Sequence, residues 1–470
     1  MKSPINHHNN TNKSSYKRLN FIIVGCGKVG CSLLHELNKE GHYITIIDKN
    51  AAKVQSLVNM YDIMGVTGNG ASYSVQMEAG ISDADLFIAV TNSDELNLLC
   101  CTVASRTAKC SAIARVRTPD YSEEANYLKD RLNLAMIINP ELEAAREVAR
   151  ILYLPTSLEV NTFAHGEAEI VKFKVPSDSM LNGMKISDLN KHVPTQFVIS
   201  AVERDGEVIL PTGEFIFAED DLVSFVATRQ GARNFLKKTG FKTNQVKDTL
   251  IIGGGTFGYY LAKNLINYGI SVKIIESDME RCEELSILLP KAVIINGDGT
   301  DEELLKEEGI EYVESFVPLT GIDEENIMLT LYANNVSDTK VVTKINRINF
   351  KDVISNLDLG SVVYPKHITA EAIVAYVRGK SNSTGNTIET LYHLFDSTVE
   401  AIEFKVDGAS DVTNIPIMNL DIKNDLLICF INRNGTIIIP NGKDVIKAGD
   451  SVMIVTKHSG FNCLNDILNT

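Results

Sequence analysis

Residues 21–30 read FIIVGCGKVG, and residues 249–258 read TLIIGGGTFG. In both stretches an apolar run leads into the glycine spacing GxGxxG, which begins at Gly25 and at Gly253. This order is typical of a β-strand that turns sharply into a helix, where backbone N–H groups at the helix start can bind a diphosphate. One such motif is weak evidence, so the surrounding sequence has to decide the fold.

The chain repeats itself with an offset of 228 or 229 residues. The acidic residue that ends the second predicted strand is Asp48 in the first half and Glu276 in the second. Further along, RDGEVILPTG at residues 204–213 corresponds to RNGTIIIPNG at residues 433–442. So constant an offset predicts two copies of one fold within the chain.

Each half changes its pattern once. In residues 21–152, short β-branched runs alternate with amphipathic segments, which is the pattern of βαβ units on a parallel sheet. Residues 161–235 instead combine short strands with turn signals. We therefore predict an α/β fold with two Rossmann-type doubly wound parallel sheets, each followed by a small α+β domain. The predicted segments are a disordered polar tail (1–18), the first Rossmann domain (19–153), the first small domain (154–238), a linker (239–248), the second Rossmann domain (249–383) and the second small domain (384–470).

Composition argues against several classes of function. The 45 basic and 60 acidic residues create no overall field that would attract nucleic acid. The longest apolar runs, such as LFIAV at residues 86–90, are far shorter than the roughly 18 to 20 residues of a membrane-spanning helix. The polar start of the chain lacks the apolar segment of a signal peptide. The eight cysteines have no CxxC spacing, which indicates reduced thiols in a cytosolic protein and no metal site.

The glycine motif and the acidic residue after it predict nucleotide binding. Gly25 is expected to form the tight turn, Gly27 to let a pyrophosphate approach, and Gly30 to allow close packing of helix on strand. Asp48 follows Gly30 by 18 residues and is placed to accept hydrogen bonds from ribose hydroxyls. Its charge would repel a 2′-phosphate, which favours NAD over NADP, and Glu276 repeats the charge. The alternative is a solvated carboxylate at a strand end.

Two polar segments follow later strands of the first Rossmann domain and recur in the second as GDGTD and TGIDEEN. GNGAS at residues 68–72 fits a simple turn at least as well as a ligand contact. TNSDELN at residues 91–97 places polar groups at the carboxyl edge of the sheet, where ligands of open α/β folds bind. Position favours ligand contact for Thr91 and Asn92, whereas Asp94 is expected to cap the next helix.

In this order the motifs resemble those of the TrkA family of bacterial potassium-uptake proteins: GxGxxG, an acidic strand end, GNG or GDG, then [AP][VL]T-x-x-DE-x-N and a strand-rich domain, all duplicated. The resemblance covers nearly all of residues 21–468. It implies paired regulator-of-conductance domains that bind NAD or NADH and, by similarity, ATP and ADP. It also implies assembly as a ring, taken to be a tetramer, on the cytoplasmic face of a TrkH-type or TrkG-type potassium transporter at the inner membrane.

Matched motif by motif, the resemblance implies one set of nucleotide contacts in each half. The first set is Gly25, Cys26, Gly27, Lys28, Val29, Gly30, Asp48, Thr91, Asn92 and Arg115. The second set is Gly253, Gly254, Gly255, Thr256, Phe257, Gly258, Glu276, Thr320 and Gly321. Position 344, which corresponds to Arg115, is lysine, so the two sites are expected to differ in ligand or occupancy.

No catalytic constellation accompanies the motifs, so we predict a regulator and not an enzyme. The alternative is an NAD-dependent oxidoreductase, which would need a proton donor or acceptor beside the nicotinamide. A redox-sensing transcription factor is a third possibility, disfavoured by the acidic composition and the absence of a basic helix-turn-helix. Cys26 in the glycine loop is interpreted as a small loop side chain, with a redox sensor as the alternative.

Overall fold

A computed structural model describes residues 18–193, 195–346, 357–381, 386–395, 397–408 and 410–469. Apart from its last residue, the predicted polar tail lies outside the described residues. The boundary predicted at residues 383 and 384 also lies outside them. Elements are numbered below in chain order.

The first half begins with a six-stranded parallel sheet. Its strands are β1 (Asn20–Val24), β2 (Tyr43–Asp48), β3 (Met64–Thr67), β4 (Leu86–Ala89), β5 (Ser111–Arg115) and β6 (Met136–Ile138). Its helices are α1 (Lys28–Lys39), α2 (Ala51–Met60), α3 (Tyr73–Glu78), α4 (Asp94–Thr107), α5 (Pro119–Glu123), α6 (Ala125–Arg131) and α7 (Pro140–Tyr153), with a 3-10 turn at Ile81–Asp83. The strand order β3-β2-β1-β4-β5-β6 reverses direction between β1 and β4, and ligands of such sheets bind at this switch point.

An antiparallel domain follows. It contains β7 (Glu159–Phe163), β8 (Ala168–Lys174), β9 (Phe197–Arg204), β10 (Glu207–Ile209), β11 (Leu222–Thr228), α8 (Ile186–His192), α9 (Arg229–Lys238) and a 3-10 turn at Ala164–Gly166. The strand order is β10-β9-β11-β8-β7. The aromatic rings of Phe173, Phe225 and Phe235 pack against one another in the core of this domain. This core is separate from that of the parallel sheet.

The second half repeats both domains. Its parallel sheet, in the order β14-β13-β12-β15-β16-β17, contains β12 (Asp248–Ile252), β13 (Ser271–Glu276), β14 (Val293–Asn296), β15 (Ser315–Pro318), β16 (Lys340–Lys344) and β17 (Ser361–Val363). The helices are α10 (Thr256–Asn267), α11 (Met279–Leu288), α12 (Glu302–Glu307), α13 (Asp323–Val336) and α14 (Pro365–Ser381). The antiparallel sheet, in the order β18-β19-β22-β20-β21, contains β18 (Asn386–Leu394), β19 (Val399–Val406), β20 (Leu426–Arg433), β21 (Thr436–Ile438) and β22 (Ser451–Thr456), with 3-10 turns at Ile417–Asn419 and Leu464–Ile467. The predicted fold class is confirmed.

The motif helix of each half packs against the last Rossmann helix of the other half. Leu33 and Leu37 of α1 are four residues apart on one helix face, fully buried, and share a core with Ile373 and Val377 of α14. In the same way, α10 packs on α7. The two antiparallel sheets also share a core, in which the rings of Phe163 and Phe430 lie 6.3 Å apart. The two halves are therefore joined through their Rossmann domains and also through their small domains.

The length and composition of the helices show whether any of them could span a membrane. Among the described residues, no helix combines the length and the apolar character that crossing a bilayer requires. The longest is α14, with 17 residues.

Candidate functional site

A cavity of about 230 Å³ opens at the switch point of the first parallel sheet, and we call it the first cradle. Its walls come from the carboxyl ends of four strands, β1 to β4, and from the segments that follow them. The lining residues are Val24, Gly25, Gly27, Ile47, Asp48, Lys49, Lys53, Gly68, Asn69, Gly70, Val90, Thr91, Asn92 and Leu96. Five of the predicted contacts, from the glycine loop, the acidic strand end and the segment after β4, therefore meet in one cavity.

The glycines have the geometry that their spacing predicts. Gly25 has φ of +105°, a left-handed conformation that favours glycine, and Gly253 has φ of +103°. A Cβ on Gly30 would lie 2.0 Å from the carbonyl oxygen of Gly25, and one on Gly258 would lie 2.3 Å from that of Gly253. A Cβ on Gly27 would meet no atom within 4 Å. Gly30 and Gly258 thus allow close packing, while the space beside Gly27 is open toward the cradle.

Asp48 connects the end of β2 to the glycine loop. Its Oδ2 atom accepts a hydrogen bond from the backbone nitrogen of Cys26 at 2.6 Å, and its Oδ1 atom accepts one from the nitrogen of Asn50 at 2.8 Å. Its backbone carbonyl accepts a hydrogen bond from Gly68, the first residue of the GNG turn. The carboxylate is therefore fixed at the cradle wall and is not a free strand-end group.

Two lysines in the cradle wall were missed by the sequence analysis. Lys49 directly follows Asp48, and Lys53 lies in the first turn of α2. Their cationic side chains give this wall a charge that suits phosphate groups. The available signal was the pair of basic residues just after the acidic strand end, which lies outside the motif because the motif ends at Asp48.

Asn97 positions the segment after β4. It is completely buried, and its Oδ1 atom accepts hydrogen bonds from the nitrogen of Thr91 at 2.8 Å and from the Thr91 hydroxyl at 2.7 Å. Its Nδ2 atom donates to the carbonyl of Arg115 at 2.9 Å. Asn326 makes the equivalent bond to Thr320 in the second half. The last residue of the T-x-x-DE-x-N motif therefore holds the first in place.

The expectation that Asp94 caps the next helix is wrong. Ser93 occupies the capping position of α4, and its hydroxyl accepts a hydrogen bond from the nitrogen of Leu96. Asp94 is already the first helical residue, and its Oδ2 atom accepts hydrogen bonds from the nitrogens of Arg117 and Thr118, both at 2.8 Å. Because Ser93 already accepts a hydrogen bond from the first turn of α4, the carboxylate of Asp94 instead connects α4 to the loop after β5.

The remaining predicted residues of the first half do not line the cavity. Arg115 is buried beside it, with its Nη2 atom 3.2 Å from the Oε1 atom of Glu141. Val29 packs into the core beneath α1, and Lys28 is the exposed first residue of that helix. Arg115 therefore belongs to a buried ion pair next to the cradle.

Cys26 is poorly suited to redox sensing. Burial and the neighbouring carboxylate of Asp48 raise the pKa of its thiol to about 12. A redox-sensing cysteine reacts as a thiolate, which such a pKa disfavours at neutral pH. The structure thus favours the interpretation of Cys26 as a small, buried loop side chain.

The second half builds the corresponding second cradle around Glu276. Its Oε2 atom accepts a hydrogen bond from the nitrogen of Gly254 at 2.7 Å, as Asp48 does in the first half. Arg281 donates from Nε to the carbonyl of Gly254 at 2.8 Å. Gly255 caps α10, Thr256 is its first residue, and Gly321 follows Thr320 at the end of β15. The backbone scaffold of the two cradles is therefore the same.

The side chains around the second cradle are different. Lys344 donates from Nζ to the carbonyl of Thr320 at 3.1 Å and to that of Leu319 at 3.2 Å, and it lies 5.9 Å from the ring centre of Phe257. Phe257 itself is buried in the core shared with α7. Lys344 thus binds the end of β15, whereas Arg115 pairs with a carboxylate.

The two cradles also differ in charge. Two lining positions of the first cradle have less positive counterparts in the second half, where Lys49 becomes Ser277 and Asn69 becomes Asp298, and Lys28 beside the cavity becomes Thr256. The first cradle therefore carries more positive charge than the second.

Family models match both halves of the chain. The TrkA-N domain matches residues 21–140 and 249–365, and the TrkA-C domain matches residues 170–240 and 401–469. The chain is also 31% identical over 443 residues to the Trk system potassium uptake protein TrkA of Haemophilus influenzae, which covers 93% of this chain and 95% of that protein.

Two solved structures share the fold of nearly the whole chain or most of it. The GsuK channel bound to NAD superposes with a TM-score of 0.62 over 94% of this chain and 78% of that one, at 17% identity. The GsuK channel bound to ADP superposes with a TM-score of 0.51 over 77% of this chain and 70% of that one, at 15% identity. At these identities the likeness is one of fold.

Proposed function

Because the chain belongs to the TrkA family of potassium-uptake proteins, we propose that it is a nucleotide-binding regulatory subunit of a bacterial potassium-uptake system. In this role NAD(H), ATP or ADP binds a cradle, and the resulting conformational change gates a TrkH-type or TrkG-type transporter. The subunit acts as a ring, a tetramer, attached to the cytoplasmic face of the inner membrane. Its family is one of potassium-uptake proteins and not of enzymes.

The first cradle is the observation that carries this proposal. Open space beside Gly27 lies at the start of α1, where backbone N–H groups can donate to a diphosphate. Asp48 stands at the same wall as an acceptor for ribose hydroxyls, and Lys49 and Lys53 contribute positive charge. These residues would bind the nucleotide, orient its ribose and compensate the charge of its phosphates.

The choice of ligands follows from the chemistry of the cradle and from its structural relatives. NAD, NADH, ATP and ADP all combine a ribose with at least two phosphates, which is the pattern that the cradle fits. The GsuK channel, which has the same fold, has been solved with NAD and with ADP, and these are therefore the first ligands to test. We propose that the first cradle binds the more highly charged nucleotide, because the second has fewer cationic groups.

Gating places a quantitative demand on the ligand. Shifting a two-state gate from 1:99 to 99:1 requires about 5.5 kcal/mol of differential affinity between the two states. In a ring with several cradles, each site has to supply only a part of this free energy. A regulator of this kind binds its nucleotide and releases it unchanged.

The deciding experiment is calorimetric titration of NADH, NAD, ATP and ADP into the full chain and into Asp48→Ala and Glu276→Ala. We expect at least one nucleotide to bind, Asp48→Ala to weaken binding to the first cradle, and Glu276→Ala to affect only a second, weaker site. If neither substitution changes any affinity, the ribose assignment is wrong. Recovery of NADH chemically altered after incubation with a substrate would instead support the oxidoreductase alternative.

A further inference from the structure

Arg378 joins two carboxylates that are 360 residues apart in the chain. Its Nε atom donates to the Oε1 atom of Glu40 at 2.7 Å. Its Nη1 and Nη2 atoms donate to the two carboxylate oxygens of Glu400 at 2.9 and 3.0 Å. The side chain of Arg378 is only 4% exposed and that of Glu400 only 5%. We call this buried triad of Glu40, Arg378 and Glu400 the latch.

The latch connects three elements from different parts of the molecule. Glu40 caps the C-terminal end of α1, and Gly27 of the first cradle caps its N-terminal end. Arg378 lies in α14 of the second Rossmann domain, and Glu400 lies in β19 of the second small domain. A helix of 12 residues is a rigid rod about 18 Å long, so a displacement at its first turn also moves its last. The latch therefore places the second small domain in contact with the far end of the nucleotide-binding helix.

The duplicated half shows that the fold itself does not require this ion triad. Tyr268 caps the C-terminal end of α10 as Glu40 caps that of α1, and Tyr153 follows Pro140 by 13 residues as Arg378 follows Pro365. At this equivalent junction the two tyrosine rings pack 5.4 Å apart. Buried ion pairs often stabilise a protein no more than apolar contacts of the same size, but they can restrict it to one arrangement. The latch thus distinguishes one junction from the other.

A histidine extends the latch to a second cavity. His393 lies with Nε2 3.5 Å from the Oε1 atom of Glu400 and with Nδ1 3.3 Å from the Oε1 atom of Glu371. His393 and Glu371 line a cavity of about 370 Å³ where all four domains meet. Burial raises the pKa of Glu400, but the hydrogen bonds and charges of His393 and Arg378 outweigh it and hold this pKa at about 2. Glu400 is consequently ionised over the physiological range.

We propose that the latch transmits nucleotide occupancy of the first cradle to the second small domain, with Arg378 as the positioning residue. Movement of α1 on binding shifts Glu40, and the shared guanidinium passes this shift to β19. Among the described residues, no such ion triad joins the second motif helix to the first small domain; Tyr153 of the aromatic pair there contacts Arg229 and Arg233 of α9 instead. The inference rests on the proposed function, since it requires a nucleotide in the first cradle.

Hydrogen exchange of the full chain tests this coupling, with NADH and ATP as the probes. In the wild type we expect nucleotide to slow amide exchange both in the glycine loop, residues 25–30, and in β19. Glu40→Gln removes the charge from one end of the latch while keeping the size of the side chain. In this variant the glycine loop should still be protected by nucleotide, and the response of β19 should be lost.

Two control variants separate coupling from general damage. Lys39→Gln removes an exposed charge from the same helix end, and Tyr268→Leu disrupts the equivalent aromatic junction, so both should retain the β19 response. If Glu40→Gln does not fold, Arg378→Lys keeps the charge but loses the guanidinium fork, and it should weaken the same response.

The outcomes for the two proposals are distinct. If no nucleotide protects the glycine loop of the wild type, the proposed function fails. If the loop is protected but β19 does not respond in the wild type, or responds equally in Glu40→Gln, the latch does not transmit occupancy. A β19 response that disappears in Lys39→Gln as well would also overturn the proposal, because the effect would then not be specific to the latch.

Discussion

The Oδ2 atom of Asp48 lies 2.6 Å from the backbone nitrogen of Cys26, so the acidic strand end and the glycine loop form one hydrogen-bonded unit. This contact fixes the carboxylate where the ribose of a bound nucleotide is expected. It also fixes a negative charge where NADP would carry its 2′-phosphate. Affinity and cofactor choice should therefore depend on the same side chain.

Asp48→Asn should weaken NAD and relax the exclusion of NADP. The amide keeps one acceptor oxygen but loses the charge, so we expect a loss of about 1 to 2 kcal/mol for NAD, or roughly tenfold in affinity. The affinity for NADP should stay constant or rise, which calorimetry with both dinucleotides will measure. Asp62→Asn, an exposed acidic residue beyond α2, is the control and should change neither. Equal affinities of the wild type for NAD and NADP would contradict the assignment.

Gly27→Ala and Gly30→Ala should separate binding from folding. Gly27 has φ of −80° and free space for a Cβ, so alanine should leave the free energy of unfolding within about 0.5 kcal/mol while obstructing the phosphates. A Cβ on Gly30 would overlap the carbonyl of Gly25, which should cost about 1 to 3 kcal/mol of stability or more. Urea unfolding and calorimetry on both variants measure the two effects. If Gly27→Ala binds nucleotide as tightly as the wild type, the phosphates do not bind beside Gly27.

The parts of the site that the sequence could predict are those tied to a strand end by fixed spacing. Gly25, Asp48 and Thr91 each lie at the carboxyl end of a strand of the parallel sheet or within two residues of it, and the fold brings such positions together. Arg115 also ends a strand, yet its side chain turns to Glu141, because rotamer choice depends on neighbours that the sequence does not place.

Other features could not be predicted because they depend on contacts between distant elements. Glu40 and Arg378 are 338 residues apart, and no local pattern marks either as a partner of the other. The misplaced helix cap has a different cause. Ser93 and Asp94 are both good capping residues, and which one is used depends on where the backbone enters the helix, which is uncertain by a residue or two from sequence.

Lys53→Gln should weaken ATP more than NAD. The ammonium group faces a cavity expected to hold phosphate, and ATP carries more phosphate charge than NAD, so we expect about a threefold to tenfold loss for ATP and a smaller one for NAD. The difference should shrink at high salt because exposed charges are screened. Calorimetry at two ionic strengths measures it, with Lys39→Gln at the far end of α1 as the control. An equal loss for both ligands at every salt concentration would argue against direct phosphate contact.

Glu147 should make stability depend on pH between about 5 and 8. It lines the cavity where the four domains meet, and burial together with the carboxylates of Glu159 and Glu371 raises its pKa to about 8. The folded protein therefore binds this proton more tightly than the unfolded chain. The resulting stabilisation is complete below the ordinary pKa of glutamate and is lost as the pH rises through 8. We expect the loss to be roughly 2 to 4 kcal/mol, because each unit of pKa shift corresponds to about 1.4 kcal/mol and part of the shift is relieved by relaxation.

Glu147→Gln mimics the protonated carboxyl and should remove this part of the pH dependence. His393 contributes a slope of the same sign above about pH 6.5, because its pKa is raised to about 9, so the difference between variant and wild type isolates Glu147. Urea unfolding at intervals across this pH range measures that difference, and Glu143→Gln, on the exposed face of the same helix, is the matched control. The variant should be as stable as the wild type at pH 5 and more stable at pH 8. Parallel curves for the two proteins would mean that Glu147 is already ionised in the folded state.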